Sequence, residues 1–163
     1  MAQVGSSLSY FSITSKTSAG QRNLSNLGHF MVSYEIPVLD RVTIKPSYSL
    51  YIVGSDLSDL GYGLNLEFDY YPFSFNRRLI YKDQNLFVSS SEKLRPYVGL
   101  SFHQRQYQSI QSSYAGLGIN VGADYQWQQD TKLNVWFASL SLSGPLDSEI
   151  SEIQFGVGTT LQF

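Results

Sequence analysis

The sequence has no cysteine among its 163 residues, which excludes a disulfide framework and any metal site built from thiolates. Charged residues make up only 15% of the chain and the net charge is −2, so the basic surface typical of nucleic-acid binding is missing. The chain has two histidines, whereas a zinc site needs three or more clustered ligands, and it has no HExxH motif. We therefore expect no metal, no cofactor and no nucleic-acid partner.

Long hydrophobic runs are also missing, since no stretch approaches the roughly 18 to 20 apolar residues of a transmembrane helix. The first residues, MAQVGSS, have neither the charged nor the apolar region of a signal peptide. If the protein is exported, we expect that its signal peptide has been removed. The length predicts a single domain over residues 1–163. A mean hydropathy of −0.15 fits a soluble protein, but it also fits a membrane barrel with an apolar outside and a polar inside.

Aromatic residues are abundant, with twelve tyrosines and ten phenylalanines, and apolar and polar residues alternate along most of the chain. This period of two predicts eight strands, at residues 6–15, 29–36, 42–53, 62–72, 96–105, 115–127, 132–143 and 151–163. Most of them exceed the 5 to 6 residues typical of soluble proteins and suit the roughly 9 to 11 of a tilted strand across a bilayer. In residues 132–143 the alternation changes phase near Ala138, which predicts a β-bulge there.

The polar face of these strands combines glycines with charged and titratable side chains. Those side chains are Glu35, Lys45, Glu67, Asp69, His103, Arg105, Asp124 and Glu152. Glycines weaken a strand that faces water, but they leave room inside a narrow barrel, where buried charges must be paired. We therefore expect these residues to form a polar network in the lumen, with Lys45 and Arg105 among its cations.

Aromatic side chains gather near one end of the predicted strands: Tyr34, Tyr70, Tyr125 and Trp127. Amphipathic rings prefer the boundary between hydrocarbon and water, so we expect these four at a membrane interface. The alternative is a soluble lipid-binding barrel, in which the apolar face points inward and the rings belong to the core. Alternation alone does not distinguish the two.

The last strand carries apolar side chains at nearly every second position and ends on an aromatic ring: Ile153, Phe155, Val157, Leu161 and Phe163. The last strand of small outer-membrane barrels ends in this way, and the assembly machinery reads the signal. The segment RPYVGLSF at 95–102 is similar to a Pro-Tyr-Val-Gly segment common in such proteins. The sequence therefore resembles the small eight-stranded outer-membrane barrels of the OmpA, OmpX and OmpW type.

This resemblance implies an all-β fold, an eight-stranded antiparallel up-and-down transmembrane β-barrel in the bacterial outer membrane. It implies outer-membrane lipid and the barrel-assembly machinery as partners, and termini in the periplasm. Periplasmic connections are then expected at 37–41, 73–95 and 128–131, and outer loops near 16–25, 54–60, 106–113 and 144–149. The insertion at about 73–95 is too long for a turn and carries more basic than acidic residues. It is either a surface for a partner, a second protomer or anionic lipid, or a solvated loop.

Three functions remain open at this point. The first is a non-enzymatic barrel that organises the membrane, with a homo-oligomer enclosing lipid as one form of it. The second is a narrow porin-like channel for small or hydrophobic solutes, and the third is the soluble lipid-binding barrel. Ser101 and His103 share a face and would need a carboxylate such as Asp124 for catalysis, but such a histidine is more often structural, so we expect no enzyme.

Overall fold

A computed structural model describes residues 3–17, 20–39, 41–52, 60–73, 93–107, 112–128, 130–145 and 148–162. These residues form eight strands: β1 (Gln3–Thr17), β2 (Gly20–Leu39), β3 (Val42–Ile52), β4 (Leu60–Tyr70), β5 (Leu94–Tyr107), β6 (Ser112–Gln128), β7 (Thr131–Ser143) and β8 (Glu149–Gln162). None of the described residues belongs to a helix long and apolar enough to cross a membrane.

The strands close into one antiparallel barrel in sequence order, with β8 paired to β1. This confirms the predicted fold. We call the end where β1 starts and β8 finishes the lower end, and the opposite end the upper end. Strands β2, β4 and β6 end, and strands β3, β5 and β7 begin, at the lower end, because neighbouring strands are antiparallel.

The strand registers determine the tilt of the strands relative to the barrel axis. Followed once round the barrel, the paired residues are Gly5, Ser33, Ser47, Asn65, His103, Gly116, Leu142, Ile150 and Ser15. The path starts at Gly5 and returns to β1 at Ser15, ten residues further on, so the shear number is 10. With about 3.3 Å per residue and about 4.8 Å between strands, this shear corresponds to a tilt of about 41°.

The β1–β2 hairpin is longer than predicted. Residues 16–25 were expected to form an outer loop, but β1 reaches Thr17, β2 starts at Gly20, and these two residues are register partners. The loop prediction is therefore wrong. This part of the chain lacks apolar alternation, yet backbone pairing in a hairpin does not require an apolar face. A bulge between Ser9 and Phe11 shifts the β1–β2 register within the same hairpin.

The predicted bulge near Ala138 is also wrong. β7 pairs without interruption with β8, and its register with β6 is continuous from Ser143 to Lys132. What changes is the polarity of the side chains, since Ala138, Leu140 and Leu142 continue the inward phase. The strand is regular, and its upper part carries apolar residues on the inner face.

The outer surface is an apolar band. The large hydrophobic side chains that point outward are 36–70% exposed, whereas the charged side chains predicted for the lumen are inside the barrel. On β6 the band runs from Trp127 to Leu117, ten residues that rise about 25 Å at this tilt, which matches the apolar band of outer-membrane barrels. Because the apolar face is outside, the soluble lipid-binding alternative does not fit this structure.

Several predicted features lie partly or wholly outside the described residues, among them the outer loops near 54–60 and 106–113, of which 54–59 and 108–111 are not described. Most of the insertion at 73–95 falls in residues 74–92, so its role as a partner surface stays a prediction. The same holds for the terminal ring of Phe163.

Candidate functional site

The lower half of the lumen contains a chain of ion pairs, which we call the lower network: Glu35, Lys45, Asp69, Asp124 and Lys132. Lys45 Nζ lies 2.6 Å from Asp69 Oδ2 and 3.9 Å from Glu35 Oε1. Lys132 Nζ donates a 2.6 Å hydrogen bond to Glu35 Oε2 and lies 3.8 Å from Asp124 Oδ2. All five side chains are at least 95% buried. Two ammonium groups therefore bridge three carboxylates contributed by β2, β4 and β6.

Tyrosine rings surround this network at the lower end of the barrel. The hydroxyl of Tyr71 donates a 2.9 Å hydrogen bond to Asp124 Oδ2, and the Tyr71 ring packs against Tyr97. The ammonium of Lys45 lies 4.5 Å from the centre of the Tyr97 ring, and the guanidinium of Arg95 lies 4.4 Å from that of Tyr71. These cation–π contacts give the buried Lys45 and the half-buried Arg95 further electrostatic partners.

Asn120 joins a fourth acidic side chain, Glu67, to the lower network. Its Nδ2 donates to Glu67 Oε1 at 2.6 Å and to Asp69 Oδ1 at 2.8 Å. A neutral amide between two carboxylates separates like charges that would otherwise face each other. Asn120 was not among the predicted site residues, although it lies in phase with Asp124 on β6.

A second cluster, the upper network, consists of Asn65, His103, Arg105, Glu152 and Gln154. Arg105 is fully buried; its Nη1 donates to Asn65 Oδ1, its Nη2 contacts His103 Nδ1 at 2.8 Å, and its Nε lies 4.0 Å from Glu152 Oε2. Gln154 Nε2 donates to Glu152 Oε1. The single cation of this cluster thus has one carboxylate partner and several neutral ones.

The two histidines of the chain each contact a serine. His29 Nδ1 is 2.6 Å from Ser9 Oγ, and His103 Nε2 is 2.7 Å from Ser101 Oγ. Asp124 does not extend the Ser101–His103 pair to a catalytic triad, because it is too far from His103. It lies opposite Arg95 in the β5–β6 register, eight residues below His103, which is about 26 Å along the strand. Both histidines are buried, and among the described residues no three His, Asp or Glu side chains group as metal ligands.

A cavity of about 30 Å³ lies between the two networks, room for about two water molecules. Its lining includes four buried polar atoms without a hydrogen-bond partner among the described residues: Ser7 Oγ, His29 Nε2, Asn134 Oδ1 and Trp136 Nε1. Gly156 and Gly158 leave room for two of these lining side chains, since a Cβ at Gly156 would lie 2.5 Å from Trp136 Cε2 and one at Gly158 would lie 2.5 Å from Asn134 Oδ1. The interior is therefore nearly filled.

The eight residues predicted for the lumen all point inward, but they divide between the two networks. Glu35, Lys45, Glu67, Asp69 and Asp124 lie in or beside the lower network, and His103, Arg105 and Glu152 lie in the upper one. The prediction missed Lys132, a main cation of the lower network. The sequence could have predicted the inward position of Lys132, because this residue precedes the outward Leu133 in the alternation of β7.

The predicted interface aromatics are on the outer surface. Tyr70, Tyr125 and Trp127 lie at the lower ends of β4 and β6, whereas Tyr34 lies five residues before the end of β2. β8 presents Phe155, Val157 and Leu161 to the outside as well.

The outer surface also has an open apolar depression of about 670 Å³ at the β2–β3 seam. Register pairs between these strands run from Gly28–Ile52 to Ser33–Ser47 and resume at Ile36–Ile44. Pro46 lies within this gap and has no N–H to donate, so the ladder is weakened there. The apolar side chains that line the depression are Val4, Val32, Tyr34, Pro46, Tyr48, Leu64, Leu66 and Phe102.

No protein-family model matches the chain, and no curated relative matches it. Neisserial surface protein A (NspA) has the same architecture, with a TM-score of 0.68 at 14% identity over 99% of this chain and 97% of that chain. The fold is that of a small outer-membrane β-barrel. The N-terminal β-barrel domain of Pseudomonas aeruginosa OprF gives a TM-score of 0.50 at 17% identity, over 95% of this chain and 97% of that chain.

These comparisons confirm the predicted resemblance, and the outer-membrane location predicted from the sequence agrees with the apolar outer band. The outer membrane protease OmpT from Escherichia coli is also similar, with a TM-score of 0.50 at 9% identity over 99% of this chain and 96% of that chain. A protease is therefore among the proteins with a similar fold. At such identities the similarity is one of fold, and the role of this chain must be argued from its own residues.

Proposed function

We propose that the protein is a non-enzymatic outer-membrane β-barrel with a structural, membrane-organising role and a closed lumen. The observation that carries this proposal is the filled interior. The two networks occupy the lumen from the lower end to the level of Arg105, and the cavity between them measures only about 30 Å³. An eight-stranded barrel has an interior just wide enough for side chains, and here they fill it.

A non-enzymatic role also fits the surroundings of the histidines. The ring of His29 is stacked on Tyr51, with ring centres 4.4 Å apart, and is 1% exposed. His103 is enclosed by Asn65, Ser101 and Arg105. A substrate would have to displace these packed groups before it reached either imidazole.

Conductance in a planar bilayer tests the closed lumen. We expect the purified protein to give no steady conductance. The competing narrow channel requires a steady conductance that changes when Glu67 or Arg105 is replaced, for example in Glu67→Gln. A steady current in the unmodified protein would overturn the structural proposal.

We further propose outer-membrane lipid as the partner of the outer face, with an acyl chain in the depression at Pro46. Its lining is apolar, and the weakened ladder there leaves the surface concave. A homo-oligomer that encloses lipid is one form of this organisation. Native mass spectrometry in mild detergent distinguishes the forms: retained lipid supports the proposal, a lipid-rich oligomer supports the ring, and a lipid-free monomer contradicts both.

For biogenesis we propose that the barrel-assembly machinery recognises β8, whose Phe155, Val157 and Leu161 lie together on the outer face. Deleting Phe163 is expected to lower the folded fraction in the outer membrane while leaving refolding of purified protein in detergent unchanged. Equal assembly of the two forms in cells would contradict this proposal.

A further inference from the structure

The interior changes character near the upper end of the barrel. On β7 and β8 the inward residues Leu140, Leu142 and Ile150 are apolar and at most 4% exposed. The outward residues between them are polar, since Ser141 and Ser151 are exposed register partners. At this level the inward side chains are apolar and the outward ones are polar, which is the reverse of the rest of the barrel. The strands keep the same alternation of inward and outward positions.

Apolar and aromatic side chains from five strands meet at this level, and we call them the apolar roof: Ile13, Tyr51, Tyr114, Leu142 and Ile150. All five are at least 95% buried. Leu142 and Ile150 are direct register partners, and a Cβ at Gly116 would lie against the backbone of Leu142. The five roof residues thus lie buried at one level of the lumen, and Leu142 and Ile150 are paired neighbours within it.

The roof adjoins the ion pair of the upper network. Ile13 is the register partner of Glu152, and Tyr114 is the register partner of Arg105. The Tyr51 ring lies 4.5 Å from the guanidinium of Arg105. The Arg105–Glu152 pair is thus covered on its upper side by apolar groups, whereas its lower side faces the polar interior.

The outer surface explains why the interior becomes apolar here. The apolar band on β6 ends at Leu117, whose register partner on β7 is the outward Ser141. The next outward residues on β7 and β8, Ser143 and Glu149, are polar, exposed and paired with each other. A segment with a polar outer surface needs an apolar core, as in a water-soluble protein, because lipid no longer covers it.

We propose that this apolar roof, and not the Arg105–Glu152 ion pair, is the barrier that separates the lumen from the extracellular medium. Polar networks exchange hydrogen bonds with water, so ions and water can pass them when side chains move. An apolar constriction excludes water without any specific bond, which is how hydrophobic gates close channels. This inference rests on the proposed closed lumen and identifies the groups that close it.

Three variants in planar bilayers test the inference. The double variant Leu142→Ser/Ile150→Ser is expected to gain a steady single-barrel conductance that the unmodified protein lacks, because water can enter the roof. Glu152→Gln, which removes the ion pair and keeps the roof, is expected to stay as silent as the unmodified protein. Leu117→Ser is the matched control, a leucine-to-serine change on the outer face near the same level, and it is expected to stay silent.

The outcomes separate the two proposals. Steady current in the unmodified protein contradicts the closed lumen itself. A silent unmodified protein with a conducting Glu152→Gln, or with a folded but silent double variant, contradicts only the roof. Each variant is first checked for folding by its circular-dichroism spectrum and its resistance to protease. If the double variant does not fold, Leu142→Ala, which opens the layer without adding polar groups, decides between the same outcomes.

Discussion

Replacing Lys45 by methionine tests whether the lower network stabilises the barrel. Lys45 is 4% exposed and is the described cation nearest to Asp69, at 2.6 Å, while Lys132 serves Glu35 and Asp124. Methionine replaces the apolar stem of the lysine as far as Cε and removes the charged Nζ. The variant therefore leaves the carboxylate of Asp69 buried without its ion-pair partner.

The expected loss follows from the geometry. At an effective dielectric constant of about 20, the gross attraction between Lys45 and Asp69 at this distance is about 6 kcal/mol. Much of it offsets the cost of removing both charges from water. Removing one member of a buried pair typically costs about 3–5 kcal/mol, since the other charge stays buried and unpaired. We expect a loss in the unfolding free energy of Lys45→Met in that range.

Urea unfolding of the barrel in lipid vesicles, followed by tryptophan fluorescence, measures this loss. Lys93→Met is the control, because Lys93 is an exposed lysine and its removal should change stability by less than about 0.5 kcal/mol. The double variant Lys45→Met/Asp69→Asn should recover part of the loss, since it also removes the unpaired charge. A loss below about 1 kcal/mol for Lys45→Met, or no recovery in the double variant, would refute the reasoning.

Two further predictions concern the interior space and the membrane band. Gly156→Ala should destabilise the barrel by about 1–3 kcal/mol, because its Cβ would meet the Trp136 ring. Gly28→Ala is the control and should cost less, because its Cβ would lie 3.4 Å from its nearest neighbour. Urea unfolding measures the stability of both variants. Val121→Arg, within the apolar band, should cost about 2–4 kcal/mol in vesicles, and Ser143→Arg, above the band, at most about 1 kcal/mol. Equal losses of stability for the two glycine variants would contradict the packing of Trp136 against Gly156. Equal losses for the two arginine variants would contradict the position of the apolar band.

The number and order of the strands were predictable because each strand carries its own signal. Along β6, residues such as Val121 and Asp124 fall on opposite faces through a period of two that needs no information from other strands. The combination of glycines and charged side chains on one face predicted which face points inward. The period of two failed for the β1–β2 hairpin, where strands continue without apolar alternation as far as Thr17 and Gly20.

The polarity of the inward side chains of β7 shows a second limit of prediction from the sequence. The pattern up to Phe137 and the pattern from Leu140 onward disagree in phase, and a local reading requires a bulge to reconcile them. The barrel keeps one phase, because β6 and β8 hold β7 in continuous register on both sides. Whether an apolar side chain belongs inside or outside depends on its height relative to the membrane, which the sequence of one strand does not contain.

The sequence by itself determined the eight strands and which side chains share a face, since period-two alternation is a local property of each strand. The closed barrel then placed the apolar face outside. Only the tertiary structure decided which charges meet. Lys132 and Glu35 are 97 residues apart in the chain, and Thr160 and Glu35 are 125 apart, yet each pair is hydrogen-bonded. The physical reason is the shear of the closed barrel, which fixes the height at which each strand brings its side chains into the common lumen.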